Sequence, residues 1–335
     1  MARLFDDDLK LIHRGLDAGF LDQKRIFMTG MTGFFGQWIL ESLAWLVQSQ
    51  DIHPCVVVLS RDPERFLCGH PSFRNLSWLT FMPGDVRTCT FPEGHFDYII
   101  HGAADARDEK NPDKQTEISD VIECGMSRIL NFGLEKDLTK LLYISSGAAY
   151  GTQPRDLEFI PEGFSCCPET SYGKAKFDAE NKCRFYIEQH QMNIVIARCF
   201  TFIGPYLPLD CHYAVGNFLK AVLNGQDIVI KGSGQAIRSY LYMADLMIWL
   251  LRILDSGRSG MVYNIGSDRR ISIEDLARLI IKISGGRSGI AVTNEYHEEG
   301  VSQYVPCIDR ASQDLGLGVS IDLEDAVRRT LDWFQ

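Results

Sequence analysis

Short, continuous apolar runs dominate the first two thirds of the chain. RIFMTG (25–30), CVVVLS (55–60), LTFMPGDV (79–86), FDYIIHGAA (96–104), KLLYISS (140–146) and MNIVIARCF (192–200) are rich in β-branched and aromatic residues and lack polar alternation. Such runs predict strands buried on both faces, as in parallel sheets covered by helices on each side. Helical stretches separate them, among them the apolar segment 37–48. The alternation predicts an α/β fold: a Rossmann-type, doubly wound parallel sheet over residues 25–200. Upstream, Phe5, Leu9, Ile12 and Leu16 share one helical face, with Asp6–Asp8 at the end where the helix dipole favours carboxylates. Residues 1–24 therefore read as an N-terminal helix docked outside the main domain.

Past about residue 200 the texture changes. GPYLPLD (204–210) and KGSGQAIR (231–238) are loop-like, whereas ISIEDLARLIIKI (271–283) and IDLEDAVRRTLDWF (321–334) are amphipathic. Ser272 and Asp322 stand where N-caps belong. This predicts a smaller C-terminal, substrate-binding lobe over 201–335, with segments returning to the Rossmann domain. A ligand would lie between that lobe and the carboxyl ends of the strands.

Composition narrows the function classes. With 335 residues, 45% of them hydrophobic, the chain can bury one large core or two joined ones. No apolar run approaches the roughly 18 residues that span a bilayer. The acidic N-terminus lacks an apolar signal core, so a cytoplasmic protein without a membrane partner is expected. The ten cysteines form no CxxC pair or zinc-like cluster, and Cys166 and Cys167 are too close for an ordinary disulfide. Reduced thiols and no metal are the expectation. A net charge of −10 argues against nucleic acid but leaves room for a small anion held by local arginines or helix N-termini.

The candidate anion site is Gly30-Met31-Thr32-Gly33-Phe34-Phe35-Gly36, directly after the first strand. Gly30 allows a tight turn, Gly33 a close backbone approach to a pyrophosphate, and Gly36 tight helix–strand packing. Thr32, Phe34 and Phe35 lie in the same turn. At the end of the second strand, Ser60 followed by Arg61 favours the 2′-phosphate of NADP, although Asp62 leaves a ribose contact, and hence NAD, open.

The candidate chemistry lies further on. Tyr172 and Lys176 are four residues apart, on one face if the stretch is helical. A tyrosine ordinarily titrates near 10, so proton transfer near neutrality requires a cation to stabilise its phenolate. Lys176 supplies one and can also hold the nicotinamide ribose. A strand ending in Ser145-Ser146 delivers a hydroxyl to the same cleft.

In this combination the sequence resembles the extended short-chain dehydrogenase/reductase family, in its nucleotide-sugar epimerase/dehydratase branch. The resemblance runs from about Lys24 onward through TGMTGFFG (29–36), GDV (84–86), HGAA (101–104), ISSGAAYG (144–151), YGKAK (172–176), RCFTFIGP (198–205), GSGQAIRSYLYMADL (232–246) and VYNIGS (262–267). It implies an NAD(P) cofactor and a nucleoside-diphosphate sugar as substrate. By position it makes Tyr172 the acid/base, Lys176 its partner and Ser146 the hydroxyl donor. It sets Asp85 and Val86 against adenine, Ala103 and Ala104 near the nicotinamide side, and Thr201 and Arg238 on the substrate. An arginine fork suits a diphosphate. It further implies a homodimer, with Phe177, Phe185 and Tyr186 on the helix that relatives use for pairing.

Departures from the family pattern bear on the reaction. The 4,6-dehydratases follow the catalytic hydroxyl with an acidic pair, and related decarboxylases keep a glutamate nearby; here the positions hold Gly147 and Ala148. The asparagine of the RxxN motif is Thr201. No RPGD-type phosphate clamp is evident in 293–310, and Arg310 is a candidate to replace it. The expected activity is hydride transfer at sugar carbon 4, by a 4-epimerase or a 4-keto-sugar reductase. Two alternatives stay open: a dehydratase or decarboxylase drawing a carboxylate from elsewhere, such as Glu162 or Glu169, and a dinucleotide-binding regulator without turnover.

Overall fold

The computed structural model describes residues 4–104, 111–211, 213–293 and 301–335. Seven parallel strands form the central sheet: β1 (Arg25–Thr29), β2 (Cys55–Ser60), β3 (Leu79–Pro83), β4 (Tyr98–His101), β5 (Lys140–Ser146), β6 (Ile194–Cys199) and, from the C-terminal third, β11 (Val262–Ile265). Their order across the sheet is β11-β6-β5-β4-β1-β2-β3. The order reverses between β1 and β4, the switch point outside which open α/β sheets bind ligands.

The lack of polar alternation in the strands has a direct cause. Ile26, Met28, Val56, Val58, Ile100 and Leu142 face one apolar cluster, while Phe27, Val57, Leu59, Ile99 and Leu141 face another. Both faces are dry, so both strand parities are apolar. On one side lie α2 (Phe34–Ser49) and α7 (Met243–Ser256); on the other, α4 (Pro112–Glu135) and α5 (Ser171–His190) pack together. The first loop contributes more to α2 than expected: Phe34 and Phe35 already belong to the helix.

The N-terminal helix α1 (Asp6–Gly15) packs against α2 and α7. Asp8 is fully buried there, accepting the Tyr242 hydroxyl at 2.6 Å and the Arg329 guanidinium at 2.5 Å. Burial raises its carboxyl above the ordinary value, against the opposing pull of those two partners. Arg329 lies on α10 (Leu323–Phe334), so this carboxylate joins α1 to the opposite end of the chain.

Beyond residue 200, β11 and α7 join the central sheet and its helical layer, and the remaining elements lie alongside. Their helices are α6 (Ala214–Leu223), α8 (Ile273–Ile283), α9 (Asp309–Leu315) and α10. Their strands are paired: β7 (Phe202–Ile203) with β10 (Leu241–Tyr242), and β8 (Ile228–Ile230) with β13 (Ile290–Val292). A third group sets β9 (Ile237–Arg238) between β12 (Ile271–Ser272) and β14 (Gln303–Tyr304). Ser272 and Asp322 cap α8 and α10, accepting from Asp275 N at 3.0 Å and Asp325 N at 2.9 Å. Among the described residues no disulfide links any of the ten cysteines. Among the described residues no helix is long and apolar enough to cross a membrane.

Candidate active site

The glycine turn at the end of β1 divides its labour residue by residue. Gly30 has φ +82°, and a Cβ there would meet the Gly102 carbonyl oxygen at 2.3 Å, so its turn is locked against the turn after β4. A Cβ on Gly36 would lie 2.1 Å from Met31 Cα, which enforces close packing of α2 under the strand. Gly33 differs: the nearest atom to its Cβ position is the Gly30 carbonyl oxygen at 3.7 Å, leaving its surface open. It is also the N-cap of α2, with no side chain capping the helix. The first N–H groups of a helix lack intrahelical partners and favour an anion. An open backbone approach at this terminus fits a dinucleotide diphosphate. Thr32, Phe34 and Phe35 are half-buried around it.

Thr29 ties the turn to the end of β4. Its hydroxyl oxygen accepts from Ala103 N at 3.2 Å and lies 2.7 Å from His101 Nδ1. Burial, assisted by the Lys176 charge, pushes His101 down to about 3. The ring is therefore neutral and shares one hydrogen bond with the Thr29 hydroxyl. Ala103 and Ala104 are half-buried beyond this clamp.

At the end of β2 Ser60 is buried, and its carbonyl accepts from Gly84 N at 2.9 Å. Asp62 spends its carboxylate as N-cap of α3 (Pro63–Gly69), accepting from Arg65 N at 3.0 Å. Asp85 is held below the usual carboxylate range by two hydrogen bonds from the Arg87 side chain, at 2.9 and 2.7 Å, with Arg61 adding to the pull. Arg61 is exposed and close enough to Asp85 to act on it. Val86 is buried beside Gly125, whose Cβ position lies 2.9 Å from Val86 Cγ1.

The catalytic side is assembled where β5 ends. Ser146 Oγ accepts from Ala148 N at 3.1 Å and caps a short 3-10 turn over Gly147–Tyr150. Thr170 caps α5 in the same manner, accepting from Gly173 N at 3.0 Å. Gly173 sits on that 3-10 turn so closely that a Cβ would meet the Ala148 carbonyl oxygen at 2.5 Å. This contact brings the start of α5, and with it Tyr172, beside the turn that Ser146 opens. One helical turn later Lys176 is only 2% exposed. Its Nζ donates to the Ile144 carbonyl at 2.8 Å and lies 5.8 Å from the centre of the Tyr172 ring. Burial pushes this ammonium down to about 8, against the opposing influence of Cys199 and Glu180. A cation this poorly solvated acts on a neighbouring phenolate more strongly than it would in water.

Glu180, which the sequence reading passed over, lies one more turn along α5. It accepts from Ser145 Oγ at 2.6 Å and from both arms of Arg198, at 2.9 and 2.5 Å, with Arg184 adding a bond at 3.1 Å. Glu180 and Arg198 are at most 2% exposed. The pair staples α5 to β5 and β6 one helical turn beyond Lys176. The four-residue spacing Tyr172–Lys176–Glu180–Arg184 was the signal that marked it.

On the sugar side the predicted residues are engaged by backbone. Thr201 donates to the Ser239 carbonyl. The half-buried Arg238 guanidinium donates to the carbonyls of Ile237 and Ser302 at 2.8 and 3.3 Å, and meets Ser302 Oγ at 3.3 Å. Arg310 does not join them. It donates to the Val262 carbonyl at 2.8 Å, at the amino end of β11, and lies 3.8 Å from Glu162. These contacts hold Arg310 against β11, the edge strand of the sheet. Glu162 accepts from Asn264 N at 3.0 Å, and Glu169 is exposed. Part of the segment searched for the clamp, 294–300, lies outside the described residues. Of the three aromatic residues implied for pairing, Phe185 is 55% exposed, whereas Phe177 is half-buried and Tyr186 donates to Asn131.

Comparison with known proteins agrees with this geometry. The sequence profile of the NAD dependent epimerase/dehydratase family matches residues 26–266. The chain is 27% identical over 327 residues to UDP-glucuronic acid decarboxylase 1 of Xenopus tropicalis, covering 94% of this chain and 73% of that protein. It is 26% identical over 345 residues to the dTDP-D-glucose 4,6-dehydratase of Homo sapiens, covering 96% and 92% respectively. Among solved structures, UDP-glucuronic acid 4-epimerase from Bacillus cereus, in complex with UDP-glucuronic acid and NAD, superposes with a TM-score of 0.79. That match is 23% identical and covers 92% of this chain and 98% of the other.

Proposed function

Because the chain belongs to the NAD dependent epimerase/dehydratase family, we propose that it transfers a hydride at carbon 4 of a sugar carried on a nucleoside diphosphate. It acts as a 4-epimerase or a 4-keto-sugar reductase, and it does not eliminate water. The observation that carries this reading is the turn after Ser146, where Gly147 and Ala148 stand beside the Tyr172–Lys176 pair and provide no carboxylate.

When bound, NAD or NADP supplies the hydride acceptor and donor. The α2 N-terminus and Gly33 hold its diphosphate, and Ala103 and Ala104 border the nicotinamide side. Tyr172 removes or returns the proton on the carbon-4 oxygen, and the Ser146 hydroxyl bonds the same oxygen. Lys176 favours the phenolate electrostatically. Arg238 pairs with the sugar diphosphate and Thr201 borders the substrate. Arg61 at the ribose end tilts the preference towards NADP. The protein works in the cytoplasm as a homodimer paired through the α4–α5 layer, where Phe185 is exposed.

The decarboxylase and the dehydratase among the relatives support a second reading, elimination or decarboxylation with a borrowed carboxylate. The anchoring of Glu162 on Asn264 and Arg310 weighs against it. Mass spectrometry separates the readings. Hexose nucleotides incubated with the protein and dinucleotide should give an isomer of unchanged mass, or a 4-keto substrate should be reduced by NADPH. A product lighter by one water, or by carbon dioxide from a uronate, would overturn the proposal. Absence of turnover with every such sugar would point to a dinucleotide-binding regulator.

A further inference from the structure

The glycine that replaces the family's first acidic residue is not simply an empty position. A Cβ on Gly147 would lie 2.5 Å from the Tyr304 hydroxyl oxygen and 2.9 Å from the edge of the Phe200 ring. The space that a side chain at 147 would enter is already taken by a phenol reaching across from β14. Phe200 backs that phenol, with ring centres 4.6 Å apart and planes tilted by 32°. The backbone around Tyr304 is pinned as well. Val305 N donates to Gln153 Oε1 at 2.8 Å, and the Val305 carbonyl accepts from Ile160 N at 2.9 Å. In the parallel register of β14 with β9, Tyr304 pairs with Arg238. Tyr304 therefore bridges two places that the function needs: the turn opened by Ser146 and the strand carrying the diphosphate arginine.

We propose that the Tyr304 hydroxyl is a substrate-binding group that holds the oxygen on carbon 6 of the sugar, making the site selective for hexoses over pentoses. The inference rests on the functional reading above, since it takes the sugar to lie with carbon 4 at Tyr172. Carbon 6 hangs from carbon 5, the ring neighbour of carbon 4, so its oxygen lies within reach of the turn beside Tyr172. A neutral phenol donates one hydrogen bond and accepts others. It therefore grips a hydroxyl without drawing off the adjacent carbon-bound proton, and carbon 6 keeps its oxygen. Gly147 and Tyr304 work as one device, because any larger residue at 147 displaces the phenol.

Calorimetric titration of the NAD-loaded protein with UDP-glucose and UDP-xylose, which differ only in the carbon-6 group, tests this. Tyr304→Phe should weaken UDP-glucose binding about tenfold, the scale of one lost hydrogen bond, and leave UDP-xylose unchanged. Gly147→Ala should reproduce the selective loss, with thermal unfolding used to show that the variant is folded. Equal losses for both sugars, or none for either, would overturn the carbon-6 contact while UDP-glucose binding left the functional reading standing. If the unmodified protein binds neither sugar, this inference fails, whereas the functional reading stands or falls by the masses of its products.

Discussion

The two halves of the proposed cleft, one for the dinucleotide and one for the sugar, are built by different means. The dinucleotide half is made of backbone: Gly30 and Gly36 carry no side chain because Gly102 and Met31 occupy the space, and Gly33 stays open at a helix end. The sugar half is made of side chains drawn from separate elements, with Ser146 from β5, Tyr172 from α5, Arg238 from β9 and Tyr304 from β14. A backbone site needs only local turn geometry, so a short stretch of sequence specifies it. A side-chain site needs the whole fold to be in register before it exists. Binding of the dinucleotide should therefore survive changes that abolish recognition or turnover of the sugar.

The largest expected effect tests that separation directly. Tyr172→Phe should lower kcat by about 10²–10⁴-fold, the usual contribution of a positioned acid/base. Dinucleotide affinity, measured by fluorescence titration, should stay close to that of the unmodified protein. Near-normal turnover would remove Tyr172 from the mechanism, and a parallel loss of dinucleotide binding would mean that the halves are not independent.

A smaller effect probes the one place where the dinucleotide half relies on a side chain. Arg61→Ala should weaken NADP binding by about 1–3 kcal/mol and leave NAD nearly unchanged. Tighter binding of NAD than of NADP by the unmodified protein would contradict the NADP preference, and the influence of Asp85 on Arg61 would be the first place to look.

The mildest effect is a pH dependence that sets stability against activity. Lys176 is held down to about 8 in the fold by burial, well below the ordinary value for a lysine. As pH rises through about 8 the ammonium is lost, so kcat/KM should fall, approaching tenfold per unit on the alkaline limb. Stability should move the other way. The unfolded chain still binds this proton up to its ordinary value of about 10.4, so between there and about 8 the Lys176 contribution to stability grows with pH. Rate profiles and thermal unfolding across that range check both slopes, and a flat kcat/KM through pH 9 would detach Lys176 from the chemistry.

How much of this was legible in the sequence follows the same division. The strands of the sheet were readable because burial on both faces makes them continuously apolar, and the caps Ser272 and Asp322 because capping is a local contact. The glycine turn was readable for the same reason. The partners of Glu180 were not, since Ser145 and Arg198 come from two other strands and only the helical spacing hinted at its importance. The contacts of Arg310 with Val262 and Glu162 were not readable either, because chain position says nothing about which strand its guanidinium reaches. Tyr304 escaped notice altogether. Its significance lies in its approach to a glycine in a distant turn, and glycine gives no sequence signal about what stands opposite it.

The Asp8 clasp bears on how such a chain comes into being. Arg329, one of the two partners of this buried carboxylate, lies 321 residues away in sequence. A ribosome working from the N-terminus releases α1 long before α10 exists, and domains generally fold as their chain emerges. Until Arg329 arrives, seating α1 would bury an incompletely paired acid, which is costly. The N-terminal helix is therefore expected to dock late in folding, once Arg329 can complete the pairing of Asp8.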